Sequence, residues 1–155
     1  HALLDFGTRE VDRSRRYAHS LAVAFIDLDN FKRLNDGEGH GRGDAALCAT
    51  AAALRAASRS TDALARWGGD EFALVLPEVD MEAAAMAGER LSNALRQHLK
   101  AYGGVTASVG VAWFARPDRG FAQMLHAADG VMYAAKQAGK DTFRLQAFGG
   151  DRGAG

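Results

Sequence analysis

The chain of 155 residues has a single cysteine, no excess of either charge and no long apolar run. One cysteine, Cys48, cannot close an internal disulfide or build a thiolate zinc site, so a reducing compartment is the simpler setting. Lysine plus arginine (19) equals aspartate plus glutamate (19), which removes the basic field of a nonspecific nucleic-acid or anionic-membrane binder. No apolar stretch reaches the ~18 residues that span a bilayer, and the first residues do not read as a signal peptide. The expectation is a cytoplasmic domain with no nucleic-acid partner and no direct membrane insertion, in which any phosphate site is local.

What is present suits a globular fold: 48% hydrophobic and 25% charged residues, at a length for which roughly 70% of the unfolded surface is buried. No repeat or linker divides the chain, so one domain is expected over residues 1–147, with a glycine-rich tail at 148–155. Residues 3 to 18 read as an amphipathic helix and Leu21 to Ile26 as a buried strand. The glycine-rich stretch Asn35 to Gly43 reads as a loop, after which Asp44 is placed to cap a helix through Leu47, Thr50, Ala51 and Leu54. Ala63–Trp67 and Phe72–Leu76 form a hairpin about Gly68 and Gly69, and Pro77 stops its second strand. A long helix that starts at Met81 and ends near Gly103 and Gly104, a strand from Val105 to Phe114, a helix from Phe121 to Ala135 and an edge strand at Thr142–Leu145 complete the pattern.

Three constellations carry chemistry. Asp27-Leu28-Asp29-Asn30-Phe31-Lys32 puts two carboxylates at the end of a buried strand, where an unpaired charge is costly and calls for a cation, a cap or a metal. An EF-hand is excluded, because Phe31 and Lys32 stand where that loop needs an oxygen ligand and a glycine; for Asp29 taken alone, a helix cap and a site residue remain equally open. The run Gly37, Gly39, Gly41, Gly43 lacks the closing lysine of a P-loop, and Arg42 stands where a dinucleotide fingerprint needs glycine. His40 within it, like His19, His98 and His126, shows no metal spacing, and Cys48 reads as a packed side chain. In Arg66-Trp67-Gly68-Gly69-Asp70-Glu71-Phe72, two adjacent acids repel at a hairpin tip whose glycines cost entropy. Backbone that approaches a ligand, beside carboxylates for a metal, explains both; Asp27 and Asp70 on neighbouring strands suffice for Mg²⁺.

The segment Gly68-Gly69-Asp70-Glu71-Phe72 resembles the signature of the GGDEF domain, diguanylate cyclase family. The Asp27–Lys32 segment, Asn35-Asp36, Gly39-His40, Gly43-Asp44, Ser108-Val109-Gly110, Ala128-Asp129 through Tyr133, and Ala135-Lys136 match that family in order over roughly residues 3 to 145. The resemblance implies an α+β single domain, its central, mostly antiparallel five-stranded sheet flanked by helices and similar to the palm of nucleotide cyclases. It implies condensation of two GTP to cyclic di-GMP and two pyrophosphates by a homodimer through facing active sites. Mg²⁺, with Mn²⁺ as the alternative ion, would be held by Asp27, the Leu28 carbonyl and Asp70, while Asp70 or Glu71 helps activate the ribose 3′-hydroxyl. Asn35 and Asp44 would read the guanine edge, with His40 in the same stretch. Phe31 backbone, Lys32, Lys136 and Lys140 would hold phosphates, beside Gly68 and Gly69. Arg59 and Asp62, at the family's offset from Gly68, with Arg90 on the next helix, would form an inhibitory cyclic di-GMP site.

Two departures qualify the resemblance: Gly139-Lys140-Asp141 replaces the usual Gly-Arg-Asn, and the usual Asp-x-Leu-Thr-Gly-Leu-x-Asn-Arg-Arg segment does not occur. A lysine keeps the charge without the guanidinium fork. The expectation is a catalytic fragment of a longer protein whose upstream region senses or dimerises, and supplies membrane anchoring where there is any. The alternative functions are a noncatalytic cyclic di-GMP receptor or regulatory GGDEF domain, and a cyclase with relaxed purine choice.

Overall fold

The structure, a computed structural model, describes residues 2–149. Its elements run α1 (Ala2–Tyr17), β1 (Leu21–Asp29), α2 (Phe31–Glu38), α3 (His40–Ala57), β2 (Ala63–Arg66), β3 (Glu71–Pro77), α4 (Met81–Leu99), β4 (Thr106–Phe114), α5 (Phe121–Gln137) and β5 (Thr142–Phe148). The strands form one sheet in the order β2-β3-β1-β4-β5. Its β2–β3, β3–β1 and β1–β4 pairings are antiparallel and β4–β5 is parallel, as expected of a mostly antiparallel sheet.

The strand β1 is central and apolar on both faces, and alternation sends its residues to two cores. Ala22, Ala24, Ile26 and Leu28 pack with residues of α2, α3 and α4; Leu21, Val23 and Phe25 pack with residues of α1 and α5. The two-residue period therefore decides which helix layer each β1 side chain meets. Helix α5 lies tight on the sheet because β4 has Gly110 opposite it: a Cβ there would collide with the Met132 amide and the Ala128 carbonyl. The long helix α4 starts where the sequence places it, with Asp80 accepting from the Ala83 amide at 2.7 Å.

Three expectations are corrected. The strand read at Leu21–Ile26 continues to Asp29, because Asp27 pairs with Glu71 and Ser108, and Asp29 with Thr106. The stretch read as a glycine-rich loop is helical on both sides of Gly39, whose φ of 88° separates α2 from α3. Burial of Leu34, Gly43, Ala46 and Leu47 outweighs the weak helix propensity of the glycines. Asp44 consequently lies inside α3 rather than at its cap. The last strand is longer than read, and Phe148, assigned to the tail, stacks on Phe114 with ring centroids 5.3 Å apart; residues 150–155 of that tail lie outside the described residues.

Candidate functional site

Because side chains two apart on a strand share a face, Asp27 and Asp29 both point from the end of β1 toward α5. The register sets Glu71 of β3 and Ser108 and Thr106 of β4 beside them, and Lys136 of α5 reaches across. Its Nζ lies 2.9 Å from Asp29 Oδ1, 3.4 Å from the Leu28 carbonyl oxygen and 3.7 Å from Asp27 Oδ2. Asp70, at the hairpin tip, is drawn to the same place: its carbonyl accepts from the Leu28 amide at 3.2 Å. The tip is closed by Glu71, whose carbonyl accepts from the Trp67 and Gly68 amides, and by Arg66, which donates to the carbonyls of Gly68 at 3.1 Å and Gly69 at 2.6 Å.

Burial and the Asp70 carboxylate push the Asp27 carboxyl up to about 7, against the opposing pull of Lys136. Its Oδ1 is buried and without a hydrogen-bond partner. Glu71 is also raised, by burial first and then by Asp129 and Asp70. Asp29 behaves in the opposite way. Burial would raise it, but hydrogen bonds from Thr106, Lys136, Ser108 and the Asp141 amide hold it below the usual carboxylate range. The centre thus contains one fully satisfied acid and a second whose Oδ1 has no partner and whose nearest cation, Lys136 at 3.7 Å, is held closer to Asp29. A hard divalent cation fits that deficit. Among the described residues no three acidic, histidine or cysteine side chains converge on one point, so such an ion would be held by Asp27, Asp70 and the Leu28 carbonyl, its shell completed by waters or substrate oxygens.

On the opposite side of the tip, α2 and α3 enclose a cavity of about 490 Å³ whose lining includes Phe31, Lys32, Asn35, His40, Asp44, Leu47, Arg66, Gly69 and Asp70. The Asn35 Oδ1 is buried and unpartnered, and it has room only because residue 43 is glycine: a Cβ there would overlap it. An unsatisfied amide and the Asp44 carboxylate on one wall suit a planar ligand edge that both donates and accepts. A second, more apolar cavity of about 610 Å³ adjoins it, sharing Asp44, Leu47 and Arg66 and adding Cys48, Ala51, Leu64 and Phe72.

The structure thus gathers Asp27, Leu28, Asp70, Glu71 and Lys136 at one centre, and Phe31, Lys32, Asn35, His40, Asp44 and Gly69 at the adjoining cavity, with Gly68 between them in the tip. Lys140 is exposed in the turn before β5, at φ 66°. Arg59, Asp62 and Arg90 lie elsewhere, by the far end of β3. Arg59 and Arg90 flank a small cavity of about 120 Å³ over Leu76 and Val79, and Arg90 donates to the Ala57 carbonyl at 2.8 Å. The Asp62 side chain is wholly buried and accepts from the Arg59 amide at 2.8 Å and from its guanidinium at 3.1 Å; it faces Arg59 and not the open cavity.

Two further residues belong to the centre: Arg66, given no role by the sequence, and Asp29, for which it left a helix cap and a site residue equally open. Arg66 has no periodic signal, since it acts through the carbonyls of the turn that follows it. Asp29 does have one: two residues beyond Asp27 on the same strand, it must share its face, which excludes the helix cap. Asn30, the residue that precedes α2, makes no side-chain cap bond.

Fold and site thus define an α+β domain with carboxylates clustered at the end of its central strand, beside a polar cavity between two helices. The comparisons narrow it further. The family described as "Diguanylate cyclase, GGDEF domain" matches residues 2–142, and the chain belongs to that family. It is 39% identical over 141 residues to diguanylate cyclase DgcP of Pseudomonas aeruginosa, covering 88% of this chain and 21% of that protein. It is 37% identical over 136 residues to diguanylate cyclase DgcS of Shewanella oneidensis, covering 87% of this chain and 45% of the relative. Among solved structures, the diguanylate cyclase SiaD of P. aeruginosa, in complex with its activator SiaC, superposes with a TM-score of 0.86 at 35% identity, covering 94% of this chain and 57% of the other. The active GGEEF domain of a diguanylate cyclase from Vibrio cholerae does so at 0.85 and 27%, covering 93% and 94%. The chain spans less than half the length of the curated relatives it matches here.

Proposed function

We propose that this domain is an active diguanylate cyclase that condenses two GTP to cyclic di-GMP and two pyrophosphates. The observation that carries the reading is the carboxylate centre: Asp27, half-buried and with its buried Oδ1 unpartnered, stands beside Asp70 and the Leu28 carbonyl, within reach of Lys136. A noncatalytic receptor has no use for such a costly arrangement. When bound there, Mg²⁺ or Mn²⁺ supplies charge neutralisation and polarises the phosphoryl oxygens. Asn35 and Asp44 hold the guanine edge, which selects it over adenine because an adenine would leave the buried amide wrongly paired. Lys32, Lys136, Lys140 and the backbone near Phe31 hold the β and γ phosphates. Each 3′-hydroxyl attacks the α-phosphorus of the other GTP, an O–P bond forms as the bond to pyrophosphate breaks, and Asp70 or Glu71 takes the hydroxyl proton. The raised carboxyl of Glu71 favours it as acceptor, since a base works best with its pKa nearer the operating pH.

Two nucleotides must face each other, so the reaction requires two copies of the domain with their sites facing. Arg59 and Arg90 bind the product at the separate cavity, with Asp62 bracing Arg59, and product there restrains turnover. The domain works in the cytoplasm, where GTP is available; no helix among the described residues is long and apolar enough to cross a membrane. Incubation with GTP and Mg²⁺, with products resolved by chromatography, tests the reading. The parent is expected to form cyclic di-GMP and Asp70→Asn to form none while keeping its fold, because loss of a carboxylate ligand removes several kcal/mol of charge stabilisation. Turnover retained by Asp70→Asn overturns the assignment.

A further inference from the structure

Lys136 is surrounded by three oxygens at unequal distances: 2.9 Å to Asp29, 3.4 Å to the Leu28 carbonyl and 3.7 Å to Asp27. The two longer distances are to groups that the proposed divalent cation uses, so ammonium and cation draw on the same oxygens. The difference is set by Asp29, which is fully buried and cannot follow the lysine. Its Oδ1 accepts from Ser108 Oγ at 2.7 Å, and its Oδ2 from Thr106 Oγ1 at 2.6 Å and the Asp141 amide at 3.1 Å. The last bond anchors a turn in which Lys140 and Asp141 both hold positive φ, at 66° and 50°, a conformation that non-glycine residues keep only where the surroundings impose it. Three donors from β4 and the β5 turn therefore fix one carboxylate. That carboxylate fixes the lysine.

We propose that Asp29 is a positioning residue that parks Lys136 beside the cation ligands instead of on them, leaving Asp27 open to a divalent ion and the ammonium ready for a phosphate. The inference rests on the reading of Asp27 as a cation ligand. Without the Asp29 charge the nearest carboxylate to Lys136 is Asp27, and a small rotation of the flexible lysine stem closes the 3.7 Å gap. The lysine then occupies the place of the ion. An acid that merely tied β4 to β5 would have no such consequence.

The test is Mn²⁺ titration without nucleotide, followed by the paramagnetic resonance of free Mn²⁺, on the parent, Asp29→Asn, Lys136→Met, their double variant and Asp27→Asn. Asp29→Asn is expected to weaken Mn²⁺ binding roughly tenfold or more, the scale on which lost outer-shell partners act. In the Lys136→Met background the same change is expected to cost much less, because no ammonium remains to be released. Equal losses in both backgrounds, with Asp27→Asn still abolishing binding, overturn the positioning role and leave the cation reading intact. A parent that binds no Mn²⁺, or binding unaffected by Asp27→Asn, overturns the cation reading and this inference with it. A measurement on the parent alone covers the case in which Asp29→Asn does not fold: the Lys136 ¹⁵Nζ resonance is expected to persist, still protected from water, when Mg²⁺ saturates the site. Loss of that protection would show that the lysine leaves on cation binding, contrary to the proposal.

Discussion

At the scale of single residues, Asp27 and Asp29 show how two identical side chains, two positions apart on one strand, acquire opposite properties. Asp29 receives four hydrogen bonds and is held below the usual range; Asp27 has a buried oxygen without a partner and is pushed up to about 7. The signs of their contributions to stability follow. For Asp27 the folded value lies above the unfolded one, so the fold is unstrained by it below pH about 4 and loses stability as pH rises to about 7, by roughly 4 kcal/mol at most. For Asp29 the folded value lies below the unfolded one, so its contribution is present above that unfolded value and is lost only in stronger acid. Between pH 4 and 7, without divalent cation, Asp27→Asn should therefore raise the melting temperature progressively more as pH increases, and level off above pH 7. A difference between parent and variant that stays constant across that range would contradict the displaced carboxyl.

At the scale of elements, much of the architecture could be read from periodicity. Helix α4 has both a repeating apolar face and an Asp80 cap, and the β2–β3 hairpin has paired glycines between short apolar runs, so local signals agree with the fold. The α2–α3 segment was less legible because Gly37, Gly39, Gly41 and Gly43 weaken the local helix signal, whereas the burial of Leu34 and Leu47 that overrides it depends on partners distant in sequence. The parallel β5 is likewise defined by its non-local partner β4. At the site, Asp27 and Asp70 stand out as acids in unusual places, whereas Asp44 reads locally as a helix cap and gains a site role only through the family resemblance; Arg66 gives no signal, since its partners are backbone carbonyls. Gly110 illustrates the tertiary contribution, for its isolated position gives no local reason for a glycine, yet α5 rests on it. Gly110→Ala should destabilise the domain by about 1–3 kcal/mol through forced overpacking against rigid backbone, visible as a lower denaturant midpoint. It should also weaken binding of a nonhydrolysable GTP analogue, because Lys136 rides on α5. An unchanged midpoint would mean that helix and sheet do not meet as closely as described.

At the scale of the whole molecule, the sheet separates the two proposed sites. The carboxylate centre sits where β3 begins and the Arg59–Arg90 cavity where it ends, about 20 Å away for a strand of this length. That separation predicts independent ligands: Arg59→Ala removes a charge-assisted donor worth roughly 1.5–3 kcal/mol and should weaken cyclic di-GMP binding by about tenfold to a hundredfold. Affinity for the GTP analogue should be unchanged, and calorimetric titration of both ligands separates the two. A variant that keeps its product affinity, or loses the analogue instead, would return Arg59 to the structural role of partner for Asp62 and the Pro77 carbonyl. The central claim, that GTP-loaded domains must face each other to react, is tested most directly by following cyclic di-GMP formation from GTP and Mg²⁺ across a wide dilution series of the purified domain, with its oligomeric state measured alongside. The rate per mole of domain should rise with concentration as monomers pair; a rate per mole that stays flat while the protein remains monomeric throughout would contradict the account.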